Sequence, residues 1–298
     1  MKISIIGLGL IGGSLAKDLR RTKFATELVG SDVNENHARQ ALEIGLVDRV
    51  EPLDEAVKEA DLVIIAVPVD KELEVLPAVL DRIGSNTTVT DMGSTKKVIT
   101  GKVKNHPRRK QFVPAHPMSG TEDSGPFAAL DELFKEKIAI ICDQQDSGPQ
   151  HLALVEKMFQ VLNMDIAYMT SDEQDHSTAF VSHLPHAAAF ALANAVQSNQ
   201  DRNIIFDLAS GGFRSTVRLA KSSCSMWKPI FEQNNHYVVN SLDVYIRHLQ
   251  QFRDCIKNSE FEKLEELILN ANKIRNILDG ENHHMIRNEE TIVKLYTK

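Results

Sequence analysis

The 298-residue sequence predicts an α/β domain followed by an all-helical one, and three observations carry that expectation. From residue 1 to about 170, short apolar runs alternate with amphipathic stretches, the βα pattern of a parallel sheet. From Ser171 onward no β-branched runs with turn signals remain, and apolar residues recur at three- and four-residue steps. Third, the opening run Ile3, Ile5, Ile6 leads straight into Gly7-Leu8-Gly9-Leu10-Ile11-Gly12, a G-x-G-x-x-G turn ahead of helix-forming residues. In a strand–turn–helix, Gly7 permits the tight turn, Gly9 lets a pyrophosphate approach the backbone, and Gly12 lets helix pack on strand. The helix that begins at Leu10 and Ile11 offers N–H groups and a positive dipole end to phosphate.

Val29-Gly30-Ser31-Asp32 closes the second strand, with Asp32 20 residues after Gly12. A carboxylate there accepts the ribose hydroxyls of NAD and repels the 2′-phosphate of NADP. The expected plan is a Rossmann NAD-binding domain over 1–170 and a helical substrate and dimerisation domain over 171–298.

Further along, helices are expected near 11–20 and 34–44. Leu62-Val63-Ile64-Ile65-Ala66-Val67-Pro68 has the unbroken apolar character of a central parallel strand, stopped by Pro68. A helix over 71–82 follows. Thr87–Asp91 is the next strand, ending at Met92-Gly93-Ser94-Thr95-Lys96. Gln111–His116, Lys137–Cys142 and 165–169 complete the sheet. Ligands of open α/β sheets lie beyond the carboxyl ends of strands. Gly7, Val67–Pro68, Ser94 and His116 therefore converge on one crevice. In the helical half, a helix starts at Ser171-Asp172-Glu173, with Pro185 a kink. Val238, Leu242, Tyr245, Ile246, Leu249, Phe252 and Ile256 form one apolar stripe, and Leu264, Leu267, Ile268, Ala271, Ile274 and Ile277 a second. Such helices after a dinucleotide domain pair between subunits, so a homodimer is expected; an intramolecular bundle is the alternative. Residues 281–298 are polar and suit a loosely docked tail.

A net charge of −7 argues against a nucleic-acid partner. Three distant cysteines suit free thiols in a reducing compartment, an N-terminus that enters a strand at once leaves no room for a signal peptide, and no long apolar run suggests a membrane span. Cytoplasm is the expected location.

His116, directly after a strand, is placed at the rim of the nicotinamide crevice to take a proton as hydride leaves a carbinol carbon; a structural histidine is the alternative. The Ser94 hydroxyl bridges substrate, nicotinamide amide and His116, or caps the following helix. Lys96 and Lys97 are expected in solvent. His176, His183 and His186 fall on one helical stripe that lines a cavity or is structural. Zinc is disfavoured because the i, i+4 pair is missing and no Cys or carboxylate is suitably spaced. Gly211-Gly212-Phe213-Arg214-Ser215-Thr216-Val217-Arg218 is a glycine-led turn with two arginines; Arg218 is the candidate anion fork and Arg214 a surface residue. Trp227 is core or cavity wall.

Together these pieces resemble the prephenate/arogenate dehydrogenase family of tyrosine biosynthesis. The matching stretches are Gly7–Ser14, Ala66-Val67-Pro68, Asp91–Lys96, His116–Glu122, Ser182-His183-Leu184-Pro185-His186, and Gly212-Phe213-Arg214 with Thr216 and Arg218. The resemblance implies NAD-dependent oxidative decarboxylation of prephenate or arogenate. It makes His116 the acceptor of the C4 hydroxyl proton and Ser94 its orienting partner. Arg218 pairs with a substrate carboxylate, His183 and His186 line the pocket with Gly211 and Trp227, and Glu122 gates the mouth. Family members often carry an aspartate where this chain has Ser215, which puts a Glu122–Arg218 network through that residue in doubt. No appended regulatory domain is expected. A 3-hydroxy acid dehydrogenase of similar plan, or an NAD sensor without turnover, are the rival functions.

Overall fold

The computed structural model describes residues 1–199 and 207–278. They form two compact units that divide after Asn235, well beyond the change of pattern at residue 170. In the first unit, β1 (Lys2–Ile6), β2 (Glu27–Ser31), β3 (Arg49–Val50), β4 (Leu62–Ile65), β5 (Thr88–Asp91) and β6 (Phe112–Val113) form a parallel sheet in the order β3-β2-β1-β4-β5-β6. That order reverses direction between β1 and β4, so their carboxyl ends open a crevice between them.

The strands are buried on both faces, and the period of two sorts their side chains. Ile3, Ile5, Leu62 and Ile64 join a core cluster with α1 (Leu10–Arg21) and α6 (Pro149–Val161) on one face. Ile6, Val63 and Ile65 join a second with α4 (Val69–Arg82) and α5 (Lys97–Val103) on the other. Helices α2 (Glu35–Glu43) and α3 (Leu53–Ala56) follow β2 and β3.

One sheet was expected through residue 169, and the structure corrects this. Gln111–His116 is not one strand: β6 ends at Val113, and β7 (Ala115–Pro117) joins a separate sheet with β8 (Ile138–Cys142) and β9 (Asp165–Met169). Strand β7 runs antiparallel to β8, and β8 parallel to β9. Pro114 between the two pieces has no N–H with which to continue a ladder. Its carbonyl instead accepts the N–H of Cys142 at 2.9 Å, which starts the new sheet. His116 consequently sits within β7, paired with Ile140.

Helix α7 (Ser171–Thr178) begins where the acidic first turn predicts, with Thr170 and Glu173 forming a reciprocal capping box. It does not continue regularly. Residues Ala179–His183 form a π-helical turn before α8 (Leu184–Gln197). Pro185 lies in the first turn of α8 and cannot donate to a carbonyl one turn back, so the helix widens just before it. The extra residue per turn shifts the phase, which breaks the expected stripe: His183 is buried while His176 faces outward against Phe180.

The stretch Ser171–Gln197 also corrects the expectation that no segment could pass for a membrane span. By length and composition it does, with a mean hydropathy of 1.2 over its best window, although only 17% of that window is buried. Helices α9 (Gly211–Thr216) and α10 (Cys224–Gln233) end the first unit. The second holds α11 (Asn235–Lys257), α12 (Phe261–Asn272) and α13 (Ile274–Leu278). On these helices Tyr245, Ile246, Leu249, Ile256, Ile268 and Ile274 are all more than a third exposed. The tail 281–298 lies outside the described residues. Cys142, Cys224 and Cys255 are free thiols, as expected.

Candidate active site

The glycine turn has the geometry its spacing predicts. Gly7, at φ +95°, donates its N–H to the Ser31 carbonyl at 2.8 Å, tying the ends of β1 and β2. A methyl group on Gly7 would stand 2.5 Å from the Ala66 carbonyl oxygen, and one on Gly12 would stand 2.0 Å from that of Gly7. Gly9, the residue before α1, has nothing within 4 Å of where its Cβ would lie, and no side chain caps the helix at Leu10 and Ile11. Asp32 accepts the Leu8 and Asn34 N–H groups, both at 2.8 Å, one on each carboxylate oxygen. Val67 and the exposed Pro68 form the facing rim beyond β4. Open space over Gly9, an uncapped helix start and a carboxylate after the second strand fit a dinucleotide.

The turn after β5 is held by a dense set of hydrogen bonds. Gly93 N–H donates to Asp91 Oδ2 at 2.9 Å, and Ala115 N–H, the neighbour of His116, donates to Asp91 Oδ1 at 3.1 Å. Lys96 corrects the expectation of a solvated side chain: it is completely buried. Its ammonium binds Asp91 Oδ2 and the carbonyls of Gly93 and Thr95 at 2.6 and 3.2 Å. Glu72 lies against the same group: a methyl on Gly93 would meet Glu72 Oε2 at 2.7 Å and Lys96 Nζ at 3.1 Å. Burial, and then the Asp91 carboxylate, push the Glu72 carboxyl well above the usual carboxylate range. Burial opposes the Lys96 charge, but Asp91 and Glu72 outweigh it and the ammonium is retained.

Helix α7 holds the turn from the other side. Asp175 accepts the N–H groups of Lys96 and Lys97 at 2.8 and 3.0 Å and so caps α5, the role Ser94 was a candidate for. Gln174 Nε2 lies 3.1 Å from the Ser94 carbonyl and 3.3 Å from His116 Nδ1. Thr95 donates to Gln233 Oε1 at 2.7 Å, and Asn234 Nδ2 meets the Asp175 carbonyl at 2.7 Å and His183 Nδ1 at 3.1 Å. Sequence patterning missed Gln174, Asp175, Gln233 and Asn234, whose polar side chains look like solvent-facing positions on helices. Ser94 itself is half-buried.

His116 is 8% exposed, and burial, then the Lys96 ammonium and the His183 imidazole, hold it well below its ordinary pKa. It is neutral at pH 7. His183 is pushed down to about 4, by burial and by His186. His186 donates its Nδ1–H to the Ser182 carbonyl at 2.9 Å and stacks on Trp227 at 3.6 Å between ring centres; His183 meets the same indole edge-on. Trp227 is thus both buried and a wall. Arg218 acts electrostatically on His186 and forms an ion pair with Glu122 Oε2 at 2.9 Å, directly and without an aspartate at position 215. Ser215 bonds its own helix at the Gly212 carbonyl.

Arg218, Glu122, His186, His183 and Trp227 therefore form one wall, which continues through His183 to His116. Two residues stand apart: His176 faces outward, and Gly211 is exposed at the start of α9 with nothing within 4 Å of its would-be Cβ. A groove of about 590 Å³, lined by Phe190, Asn194, Trp227, Lys228 and Phe231, shares only Trp227 with this wall. Among the described residues no cluster of three or more potential metal ligands occurs.

A glycine-turn Rossmann sheet with a neutral, buried histidine at its crevice and an arginine on the adjoining helical wall defines a nicotinamide-dependent dehydrogenase. The chain belongs to the prephenate dehydrogenase family. The family model for the prephenate dehydrogenase nucleotide-binding domain matches residues 15–168, and that for the prephenate dehydrogenase dimerization domain matches residues 170–270. The prephenate dehydrogenase of Bacillus subtilis is 33% identical over 268 residues, covering 88% of this chain and 72% of its own. The cyclohexadienyl dehydrogenase of Zymomonas mobilis is 31% identical, covering 92% and 94%. The crystal structure of prephenate dehydrogenase from A. aeolicus in complex with hydroxyphenyl propionate and NAD+ superimposes with a TM-score of 0.85 at 30% identity, over 94% of this chain and 98% of that one.

Proposed function

We propose that this protein catalyses the NAD-dependent oxidative decarboxylation of prephenate to 4-hydroxyphenylpyruvate, or of arogenate to tyrosine. The observation that carries the proposal is the side chain of Gln174, which lies within reach of both the Ser94 carbonyl and His116 Nδ1 and so places the two chemistry-bearing residues side by side. Gly7, Gly9, Leu10, Ile11 and Gly12 hold the pyrophosphate, Asp32 the ribose, and Val67, Pro68 and Ser94 flank the nicotinamide. NAD, when bound, supplies the acceptor for the hydride that leaves C4.

His116 takes the proton of the C4 hydroxyl. A neutral imidazole is needed for this, and burial together with Lys96 and His183 supports one. Gln174 Nε2, which donates to the Ser94 carbonyl, also reaches His116 Nδ1 and fixes the orientation of the ring. As the ring carboxylate departs as CO2, its bonding pair closes the aromatic ring. The Arg218 guanidinium receives a substrate carboxylate in place of Glu122, which guards the mouth; His183, His186 and Trp227 line the pocket.

The functional boundary lies near residue 170, with 171–298 a substrate and dimerisation region. The exposed apolar residues of α8, α11 and α12 support a homodimer, as does the description of the matching C-terminal family model. A cytoplasmic enzyme of small-molecule metabolism fits these features.

The test is NADH formation with prephenate, arogenate and short 3-hydroxy acids, each with NAD and NADP. Turnover of a ring substrate with release of CO2 and preference for NAD is expected. Oxidation of 3-hydroxy acids alone would refute the substrate assignment, and preference for NADP the role of Asp32. A monomeric mass by light scattering would refute the dimer.

A further inference from the structure

We propose that Lys96 is a positioning residue for the reaction: together with Asp91 it locks the Ser94 turn to the strand that carries His116. This rests on the roles given above to Ser94 and His116. The ammonium binds the carbonyls on both sides of Ser94, those of Gly93 at 2.6 Å and Thr95 at 3.2 Å. A point charge that gathers the two carbonyls flanking one residue fixes that residue's backbone. The turn between them cannot rotate without uncovering a buried cation.

Asp91 completes the link. One of its oxygens binds Lys96 Nζ and the Gly93 N–H; the other takes the N–H of Ala115, next to His116. One carboxylate thus touches both the turn and the strand. Gly93 is required for this packing, since a methyl there would collide with Glu72 and crowd Asp91 and Lys96. Glu72 fills the third side of the cluster. A buried ion pair is weak as a source of stability, but one whose partners reach into two different elements specifies their relation.

The groups around His116 are few. Lys96 and Asp91 lie on the turn and strand before it, His183 on the π-helical turn, and Asp175 on α7, with Glu72 behind Lys96. Of these, Lys96 and His183 disfavour the imidazolium. Lys96 therefore acts twice: through the turn it sets where Ser94 stands, and through space it keeps His116 available as a base.

The experiment is Lys96→Met, assayed alone, together with Ser94→Ala, and beside Ser94→Ala and His116→Asn. NAD affinity by calorimetry is expected within about twofold of the parent, with KM little changed. kcat should fall by about 10²-fold, the scale of an ångström-level misplacement. The acid limb of the kcat/KM profile should move to higher pH. Above the acid limb, where His116 is already deprotonated and only the Ser94 turn is read, Lys96→Met should cost little more kcat in the Ser94→Ala background. A wild-type kcat, or a cost fully additive with Ser94→Ala, would overturn the proposal. Should Lys96→Met not fold, the Asp91→Asn/Lys96→Met pair, which removes both charges, takes its place with the same readouts. In the unmutated protein, NMR of ring-labelled histidine should find His116 titrating well below the ordinary range; titration at or above about 6.5 would also overturn it. If instead Ser94→Ala and His116→Asn retain full activity, it is the underlying assignment of the site that fails.

Discussion

Two glycines of one turn, Gly9 and Gly12, separate what the turn does for the fold from what it does for the cofactor. Gly12→Ala places a methyl 2.0 Å from the Gly7 carbonyl oxygen and 3.0 Å from Ile5 Cγ2. Backbone on one side and a fully buried strand on the other leave nothing flexible to move. Overpacking of this kind costs about 1–3 kcal/mol. For a unit of this size that lowers Tm by about 2–12 °C, and NAD affinity falls with it because the turn itself shifts. Gly9→Ala meets nothing within 4 Å and sits at φ −77°, so its stability should stay within about 0.5 kcal/mol of the parent. If the pyrophosphate occupies the open space over Gly9, the added methyl stands in its way, and Kd for NAD should rise at least about tenfold, or about 1.4 kcal/mol. Thermal unfolding without ligand and calorimetric titration of NAD measure the two effects separately. A Gly9→Ala protein that binds NAD as well as the parent would refute the placement of the pyrophosphate; a Gly12→Ala protein of parental Tm would refute the packing argument.

His116→Asn should bind NAD normally and lose about 10²–10⁴ in kcat, the usual contribution of a general base; steady-state kinetics beside a binding isotherm would expose a merely structural histidine, for which kcat would hold. Arg218→Ala should raise KM about tenfold with kcat largely kept, the low end for a charged hydrogen bond because Glu122 already occupies the guanidinium at 2.9 Å; an unchanged KM removes Arg218 from the carboxylate role. Stability should fall on acidification. His116 and His183 have folded pKa values below the unfolded value, so the unfolded chain binds more protons as pH drops beneath about 6.5. The loss continues until the folded groups titrate, at about 4 for His183. Each contributes a slope of up to about 1.4 kcal/mol per pH unit, and urea titrations between those limits that gave a flat stability would show that these rings are not buried neutral.

Much of this was legible because it depends on local pattern. The glycine spacing, the apolar run over 62–68 and the position of Asp32 report the sheet and its cofactor turn directly, since a strand buried on both faces must be apolar and a turn against phosphate must lack side chains. Pro114 was an available signal for the break between β6 and β7, but one proline between apolar residues does not say that the chain will leave its sheet. The histidine stripe misled for a related reason: spacing of i, i+7 and i+10 assumes a constant turn, and the π-helical turn before Pro185 removes that assumption. Lys96 was invisible. A lysine beside a second lysine after a strand has the pattern of a solvated turn, and what buries it is Asp91 five residues back and Glu72 from the preceding helix. Gln174, Asp175, Gln233 and Asn234 were hidden in the same way, as polar residues whose partners lie between 50 and 140 positions away. Hydropathy periodicity reports which groups avoid water and is silent on which polar groups have found each other. The oxidant and the base could be read from the chain in order, whereas the device that holds them in register is assembled only when strand, turn and helix meet.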